Sequence, residues 1–320
     1  MESNLFMKTE SNKVQKIIVD NDHTGQRLDN FLLNFLKGIP KSKIYSIIRK
    51  GEVRVNSLRK KVSYKISKDD LIRIPPLNLP IRSDKVPSIS LIKILQNNII
   101  FEDNNCLVID KPFGIASHGG SGISIGLIEA VRNFGKEYRN CKLVHRLDKN
   151  TSGCQLISKK QKFLRTCNSL IRERKIKKKY IALVHGQWPK DRIFIENKLE
   201  KNITISGEKM VKVSENGKNS ITEFQIIEKS KFFTKLSCNL ITGRTHQIRV
   251  HTSSNDFPIV GDIKYGNKEK DKKFLRHGLN RMYLHSSLIE IKDLNLKVSS
   301  KDPKEFKKMI KNSESNSFLT

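Results

Sequence analysis

The stretch LVHRLDKNTSGCQLIS, residues 143–158, decides how the larger part of this sequence is interpreted. It begins with a short apolar run, passes through a charged loop and ends in a second apolar segment that predicts a buried strand. The loop is closed by Thr151, Ser152 and Gly153, residue types that interrupt regular structure. Charged loops between strands are frequent positions for functional residues. The segment therefore predicts a functional loop at the end of a sheet strand.

Asp148 is the carboxylate of this loop, and Arg146 and Lys149 flank it. Nearby positive charge favours the ionised form of a carboxyl group, which suits a nucleophile or an anionic clamp. A structural aspartate that caps a turn and pairs with Arg146 is the alternative. A protein kinase loop is disfavoured, because Leu147 interrupts the order His-Arg-Asp and no kinase glycine-rich loop precedes it. The loop by itself leaves the role of Asp148 open.

Short apolar runs on both sides of this loop predict a domain built mainly of strands. Two longer stretches instead repeat their apolar residues at helical spacing. The predicted strands are Cys106–Ile109, Gln155–Ser158, Tyr180–Val184 and Lys235–Ile241, and the predicted helices are Ser124–Phe134 and Gln161–Arg174. Strands and helices do not alternate for long enough to build a doubly wound sheet. The sequence from about Leu91 onward therefore predicts a β-rich α+β domain.

The beginning of the chain predicts a separate, smaller domain. One apolar helix face is formed by Leu28, Phe31, Leu32, Phe35 and Leu36. A second helix is predicted to start at Ser42, a good N-cap, and to stop at Gly51. Short strands are predicted within residues 52–56, 62–66 and 71–74. These elements indicate a small α/β domain that ends near Pro75-Pro76.

Basic residues outnumber acidic ones along the whole chain. Lysine and arginine total 62 against 32 aspartate and glutamate residues, which gives a formal net charge of +30 at pH 7. This excess predicts a polyanionic partner, although a solvated surface in a lysine-rich protein is the alternative. In the small domain the candidate phosphate contacts are Lys41, Lys43, Arg49, Lys50 and Arg54.

A second candidate functional segment is TGRTHQIRVH, residues 242–251. Thr245 is placed to cap a short helix, which would carry His246 and Arg249 on one face. A solvated basic helix is the alternative. Zinc is a further alternative, disfavoured because His246 and His251, five residues apart, point in different directions. The five cysteines are also scattered singly, without the close pair typical of a zinc or redox motif.

Several motifs taken together resemble the RluA-type RNA pseudouridine synthases. They are His145-Arg146-Leu147-Asp148 with Thr151-Ser152-Gly153, Lys179-Tyr180, and Gly243-Arg244-Thr245-His246-Gln247-Ile248-Arg249-Val250-His251. Lys111-Pro112, Gly261-Asp262 and Leu284-His285-Ser286 extend the resemblance over nearly the whole second domain. The first domain resembles the small RNA-binding module named for the fourth small-subunit ribosomal protein, through Pro40-Lys41-Ser42 and residues 49–56.

The resemblance implies a β-rich mixed-sheet enzyme that isomerises uridine to pseudouridine, with Asp148 as the catalytic carboxylate and with no cofactor and no metal. We expect Arg249 to pair with Asp148. Tyr180, which the pattern alone favours as a core residue, is expected to stack on the uracil and to help remove its carbon-bound proton. We expect Arg146 to fill the space that the flipped uridine leaves. Further predicted RNA contacts are His145, Arg244 and His246.

One departure from the family is Lys149-Asn150, where an acidic residue more usually follows the basic one, and it puts the RNA contacts near the loop in doubt. The predicted organisation is a flexible N-terminus (1–22), the small RNA-binding domain (23–76), a linker (77–90), the catalytic domain (91–311) and a polar tail (312–320). No stretch is long and apolar enough to span a bilayer. We therefore expect a monomeric cytoplasmic protein whose partner is large-subunit ribosomal RNA. The alternative is a ribosome assembly factor that binds RNA without catalysis.

Overall fold

The computed structural model describes residues 13–36, 39–77, 86–120, 125–203 and 209–314. It divides the chain into two compact units, one that ends at Lys85 and one that begins at Val86. Parts of the predicted N-terminal segment, linker and tail, namely residues 1–12, 78–85 and 315–320, lie outside the described residues, as does Ser124. Within those ranges, no helix combines the length and the apolar character needed to cross a membrane.

The N-terminal unit combines a small antiparallel sheet with two helices. Its strands are β1 (Gln15–Ile18), β2 (Arg54–Val55) and β3 (Leu71–Ile74), in the order β1-β3-β2, and its helices are α1 (Leu28–Phe35) and α2 (Lys41–Arg49). The buried residues of the two helices form one core with the strands, and they are Leu28, Phe31, Leu32, Ile44, Ile47 and Ile48. The apolar faces predicted for these helices are confirmed.

Three local expectations for this unit are wrong. Residues 62–66 form no strand, and only Lys65 makes an isolated bridge, with Arg27. Helix α2 begins at Lys41 instead of after Ser42, because the carbonyl of Pro40 already accepts the amides of the first helical turn. The N-terminal segment expected to be flexible contains β1, which pairs with β3 along its length.

The C-terminal unit is built on one large mixed sheet. Its strands are β4 (Ile99–Glu102), β5 (Cys106–Lys111), β6 (Lys142–Leu143), β7 (Ser152–Ser158), β8 (Ile176–His185), β9 (Arg192–Ile203), β10 (Lys209–Val213), β11 (Lys218–Lys229), β12 (Phe233–Leu240), β13 (Leu284–Ile291) and β14 (Leu296–Ser299). Its helices are α3 (Ile89–Asn97), α4 (Leu127–Val131), α5 (Gln161–Arg172), α6 (Gln247–Ser253), α7 (Lys268–Lys272) and α8 (Lys304–Glu314).

The strand order places the Asp148 loop, which precedes β7, beside the strand β13. The main path is β10-β9-β11-β12-β8-β13-β7-β5-β4, while β14 pairs with β13 and β6 with β7. The pairs of described strands are antiparallel except for β13 and β7, where His285 lies opposite Ser152 in parallel register. This pair brings the first residues of β7, which follow the Asp148 loop, next to β13 and β8. The predicted β-rich, mixed-sheet α+β class is confirmed.

The apolar packing on one face of β8 joins the two segments that stand out in the sequence. Tyr180 and Ala182, which alternate along β8, belong to a cluster that also contains Leu147 of the loop and Ile248 of α6. The loop that carries Asp148 and the helix that carries Arg249 therefore lie side by side on this face.

Candidate active site

Asp148 lies between β6 and β7, and buried polar side chains fix the backbone before it. The Ser117 hydroxyl donates to the Leu147 carbonyl at 2.7 Å and accepts from the Leu147 amide at 3.0 Å. The Gln155 side chain accepts from the Leu147 amide at 3.2 Å and donates to the His145 carbonyl at 2.7 Å. Ser117 and Gln155 are both buried. These bonds leave the loop little freedom to move Asp148.

A buried lysine fixes the backbone after Asp148. The ammonium of Lys111 donates to three carbonyl oxygens, those of Ile115 (2.7 Å), Pro112 (3.0 Å) and Lys149 (3.2 Å). The Gly114 amide donates to the same Lys149 carbonyl at 2.9 Å. Burial lowers the pKa of Lys111 to about 7, and the charge of Asp148 acts in the opposite direction. Lys111 of the Lys111-Pro112 motif therefore has a structural role, which is to hold the backbone of the Asp148 loop.

The carboxylate of Asp148 faces the guanidinium of Arg249 on α6. Arg249 Nη1 donates to Asp148 Oδ2 at 2.8 Å, and Nε and Nη2 donate to the two oxygens of Asp262 at 2.7 Å each. Burial acts to lower the Arg249 pKa, but the hydrogen bonds and charges of Asp262 and Asp148 outweigh it and raise that pKa. The guanidinium of Arg249 is a planar, charged fork of donors, bonded to Asp262 along one edge and to Asp148 along the other, and it fixes the direction of the Asp148 carboxylate. The Asp148 side chain is still 29% exposed, so a ligand can reach it.

Tyr180 lies on β8 close to the same carboxylate. Its ring is buried in the cluster with Leu147 and Ile248, so the core position that the sequence pattern favours is confirmed. Burial raises the pKa of the hydroxyl, a hydrogen bond with Ser286 opposes this, and the charge of Asp148 raises the pKa further. Tyr180 is therefore a neutral phenol with its polar tip near Asp148.

Comparisons with known proteins identify the family of this chain. A family model described as RNA pseudouridylate synthase matches residues 105–254, and a model described as S4 domain matches residues 26–72. The chain is 46% identical over 288 residues to the ribosomal large subunit pseudouridine synthase C of Escherichia coli (strain K12), a match that covers 89% of this chain and 90% of that protein. The chain belongs to the RNA pseudouridylate synthase family.

Other relatives agree with this membership. The synthase C of Haemophilus influenzae is 46% identical over 278 residues, which cover 86% of each chain. The solved structure of human RNA pseudouridylate synthase domain containing 1 is 26% identical, with a TM-score of 0.55 over 64% of this chain and 83% of that one. The solved structure of human RNA pseudouridylate synthase domain containing 4, at 24% identity and a TM-score of 0.58, supports the fold. The protein is an RNA pseudouridine synthase of the RluA type with an N-terminal S4 domain, and so an isomerase.

In this pseudouridine synthase, a histidine is the second polar group that faces Asp148. The Tyr265 hydroxyl accepts from the Val211 amide and donates to His246 Nδ1, both at 2.8 Å. With Nδ1 as acceptor, we assign the proton to Nε2, which lies 3.7 Å from Asp148 Oδ1. Burial lowers the pKa of His246, while the charge of Asp148 opposes that shift. The imidazole therefore presents a neutral N–H to the carboxylate.

The start of α6 corrects one sequence expectation. The N-cap is His246 in the left-handed region, with φ of 54°, and not Thr245. The Gln247 side chain accepts from the Arg244 amide at 2.9 Å, so the first residue of α6 binds back to the turn that precedes the helix. The backbone at His246 thereby turns its ring toward Asp148.

The other predicted RNA contacts near the loop differ in their surroundings. Arg146 is exposed, and in the described part of the chain its guanidinium has no partner. Arg244 is also exposed, and its Nε donates to the Asn219 carbonyl at 3.1 Å. His145 Nε2 accepts from the Leu156 amide at 3.1 Å, and burial lowers the His145 pKa to about 3. A neutral ring that is bound to the backbone is poorly suited to a phosphate, so the geometry of His145 does not favour its predicted role.

The histidines weighed as zinc ligands are dispersed. His251 is buried and its Nε2 lies 2.8 Å from the Ser220 hydroxyl. Across the described ranges, no group of three or more His, Cys, Asp or Glu residues is arranged to hold a metal ion.

In the S4 domain, helix α2 presents basic side chains around one aromatic ring. Lys41 Nζ lies 5.3 Å and Arg49 Cζ 5.8 Å from the centre of the Tyr45 ring. Lys43 and Lys50 are exposed on the same short helix and its end. Arg54 differs from these residues, because its Nε donates to the Gly51 carbonyl at 2.7 Å and so stabilises the turn after α2.

The sequence reasoning gave no role to three residues that organise the site. Asp262 holds Arg249, Tyr265 orients His246, and Ser117 fixes the loop. Asp262 stands within a motif that carries the family resemblance, but its partner can be identified only when the fold brings α6 to it. Ser117 carries no signal in the sequence, since an isolated serine after an alanine is unremarkable.

Proposed function

We propose that this enzyme converts uridine to pseudouridine in large-subunit ribosomal RNA, with Asp148 as the catalytic carboxylate. The observation that carries the proposal is the pairing of the accessible Asp148 carboxylate with Arg249 beside Tyr180. The choice of RNA rests on the relatives at 46% identity, which are named as large-subunit synthases.

The reaction rearranges one nucleotide without any net gain or loss of atoms. The bond between the ribose C1′ and uracil N1 breaks, the uracil turns, and a bond from C1′ to C5 forms. The proton on C5 then leaves and N1 ends as an N–H. Asp148, acting on the ribose or on the base, would stabilise or trap the separated state while the uracil turns.

The neighbours of Asp148 support this work by orientation and by proton transfer. Arg249, held by Asp262, keeps the carboxylate charged and aimed, which is a form of preorganisation. The ring of Tyr180 is buried, so the uracil would meet its hydroxyl end and would not stack on its face as the resemblance implies. Burial raises the Tyr180 pKa, so its phenolate is scarcely populated. Its hydroxyl would therefore help to remove the C5 proton by hydrogen bonding and proton relay.

The target uridine must leave its stack to reach Asp148, at a cost of roughly a few kcal/mol. Arg146, exposed and unpaired within the described residues, is suited to occupy the vacated space. The basic face of α2, with Lys41, Lys43 and Arg49, would hold the RNA by its phosphates.

The test is pseudouridine mapping, by carbodiimide modification and primer extension, on an unmodified large-subunit ribosomal RNA transcript. The wild-type protein should produce new pseudouridines, and Asp148→Asn should produce none while it still binds the transcript. Asp191→Asn, which changes an exposed aspartate between β8 and β9, is the matched control and should keep the activity. Tight binding without pseudouridine from the wild type would instead favour an assembly factor.

A further inference from the structure

A partly buried cation on the Asp148 face of the sheet has no role in the site described so far. Lys178 lies on β8, two residues before Tyr180, so the alternation of a strand directs both side chains to the same face. Their Cα atoms are separated by about 6.6 Å, two residues of extended strand. Lys177 points the other way, and its Nζ lies 3.7 Å from Glu290.

The head group of Lys178 is enclosed by the two segments that build the active site. Its Nζ lies 3.0 Å from the position that a Cβ on Gly243 would take, so the glycine leaves room for the ammonium. His145 is close enough that the charge of Lys178, after burial, contributes to the lowered pKa of its ring. The ammonium therefore lies between the turn that leads into α6 and the loop that carries Asp148.

Lys178 has no counter-charge in the part of the chain that the structure describes. It forms no hydrogen bond or ion pair there, and burial lowers its pKa. Its side chain is only partly exposed, and a cation that has lost part of its hydration is stabilised by a partner of opposite charge. Arg146, on the neighbouring loop, is a second cation without a partner among the described residues. What this part of the cleft lacks is an anion.

We propose that Lys178 binds a backbone phosphate of the RNA next to the uridine that enters the active site. The inference rests on the proposed function, because it takes the Asp148 cleft as the place where the RNA lies. A phosphate oxygen supplies both the acceptor and the negative charge that Lys178 lacks, and an ammonium binds it as a point charge. Lys178 is then a positioning residue, which fixes the strand so that one uridine reaches Asp148.

The first test compares Lys178→Met with Lys177→Met in the full chain. Binding to an unmodified large-subunit ribosomal RNA transcript is measured over a series of salt concentrations, in the Asp148→Asn background so that no turnover occurs. The slope of log Kobs against log salt is negative, and loss of one phosphate contact should reduce its magnitude by about 0.7 to 0.9. Lys177→Met removes the same charge from the same strand on the opposite face, and it should keep the wild-type slope.

Turnover and stability separate this role from a structural one. With Asp148 intact, Lys178→Met should raise KM by about tenfold with a smaller effect on kcat, and Lys178→Arg should restore most of the loss. Because Lys178 makes no hydrogen bond or ion pair within the described residues, Lys178→Met removes no polar contact of the fold, and its Tm should stay close to that of the wild type. An unchanged salt slope and KM in Lys178→Met would overturn the proposal, and so would an equal loss in Lys177→Met.

A second measurement does not depend on whether the Lys178→Met variant folds. Short RNAs that span a mapped uridine carry a neutral methylphosphonate at one position at a time, and their binding is compared between the wild type and Lys178→Gln. The proposal requires one position where neutralisation weakens binding to the wild type but has no added effect on the variant. If the wild type makes pseudouridine and no such position exists, this inference fails while the proposed function stands. If the wild type makes none, the proposed function fails first.

Discussion

The single guanidinium of Arg249 pairs with two carboxylates that differ in exposure. Asp262 is 2% exposed and takes two hydrogen bonds from the guanidinium, whereas the partly exposed Asp148 takes one. Asp262 therefore fixes the fork, and the fork in turn fixes Asp148. This division leaves one oxygen of Asp148 free of Arg249 and available to a substrate.

Substitution of Arg249 by lysine tests whether this fork matters beyond its charge. An ammonium cannot span both carboxylates, so we expect kcat to fall about 100-fold through loss of orientation. The free energy of unfolding should fall by about 2 kcal/mol, the cost of lost charged hydrogen bonds. Pseudouridine formation under saturating RNA and urea unfolding measure the two effects. The matched control is Arg192→Lys at an exposed pair with Glu223, where both effects should be small; equal effects in the two variants would contradict the role of the fork.

The same residues show how far the site could be predicted. Asp148, Tyr180 and Arg249 were singled out from motifs, and the structure brings all three together on one face of the sheet. Asp262 acquires its meaning only from a contact with α6, and a sequence pattern does not contain that contact. The geometry disfavours the RNA contact predicted for His145, because its Nε2 accepts from the Leu156 amide, and that contact too is absent from the sequence pattern.

At the scale of elements, the first turn of α1 is held by a charged cluster around one buried aspartate. Asp29 accepts from Arg27 Nε at 3.0 Å, from Arg27 Nη2 at 2.8 Å and from the Tyr45 hydroxyl of α2 at 2.8 Å. The hydrogen bonds from Arg27 lower the Asp29 pKa to about 2 against the opposing effect of burial, and Tyr45 adds to the lowering. The cluster joins the two helices of the S4 domain at their polar edge.

Asp29→Asn should lower the free energy of unfolding of the S4 domain at pH 7 by about 1 to 2 kcal/mol, a value reduced for the partly exposed Arg27. The pKa of Asp29 in the folded protein lies below its value in the unfolded chain. Its contribution to stability is therefore present above the ordinary aspartate pKa of 3.8 and is lost as pH falls toward 2. The difference between wild type and variant in urea unfolding should therefore shrink between pH 5 and pH 3. Asp22→Asn, at an exposed position, should show no such difference at either pH, and a constant difference for Asp29→Asn would refute the assignment.

Helix and strand identity followed from periodicity where an element buries a face, as in α1, α5 and β12. The failures are elements whose formation depends on a distant partner. Strand β1 has a mixed sequence and forms because β3 offers its edge to residues 15–18. The cap of α6 lies at His246, where the backbone takes the left-handed conformation, and the rule for Thr or Ser caps does not cover such a start.

At the scale of the whole molecule, the net charge of +30 leaves two explanations of RNA affinity. Either affinity comes from a diffuse excess of lysine, or it depends on particular surfaces such as the α2 face. Helix α8 offers a comparison, because Lys304, Lys307 and Lys308 are exposed on it as Lys41, Lys43 and Arg49 are on α2. The two triplets carry the same charge on helices of different units.

Replacement of Lys41, Lys43 and Arg49 together by glutamine should reduce the magnitude of the salt slope of RNA binding by about 2 to 3 and raise KM. We expect little change in kcat, because these residues belong to the S4 domain and none is part of the segments that build the Asp148 site. The same replacement at Lys304, Lys307 and Lys308 should change the slope by less than about 1. Binding over a salt series and steady-state kinetics on the ribosomal RNA transcript give both quantities. Equal losses from the two triplets would mean that the charge acts diffusely, and that the face of α2 has no special place in RNA recognition.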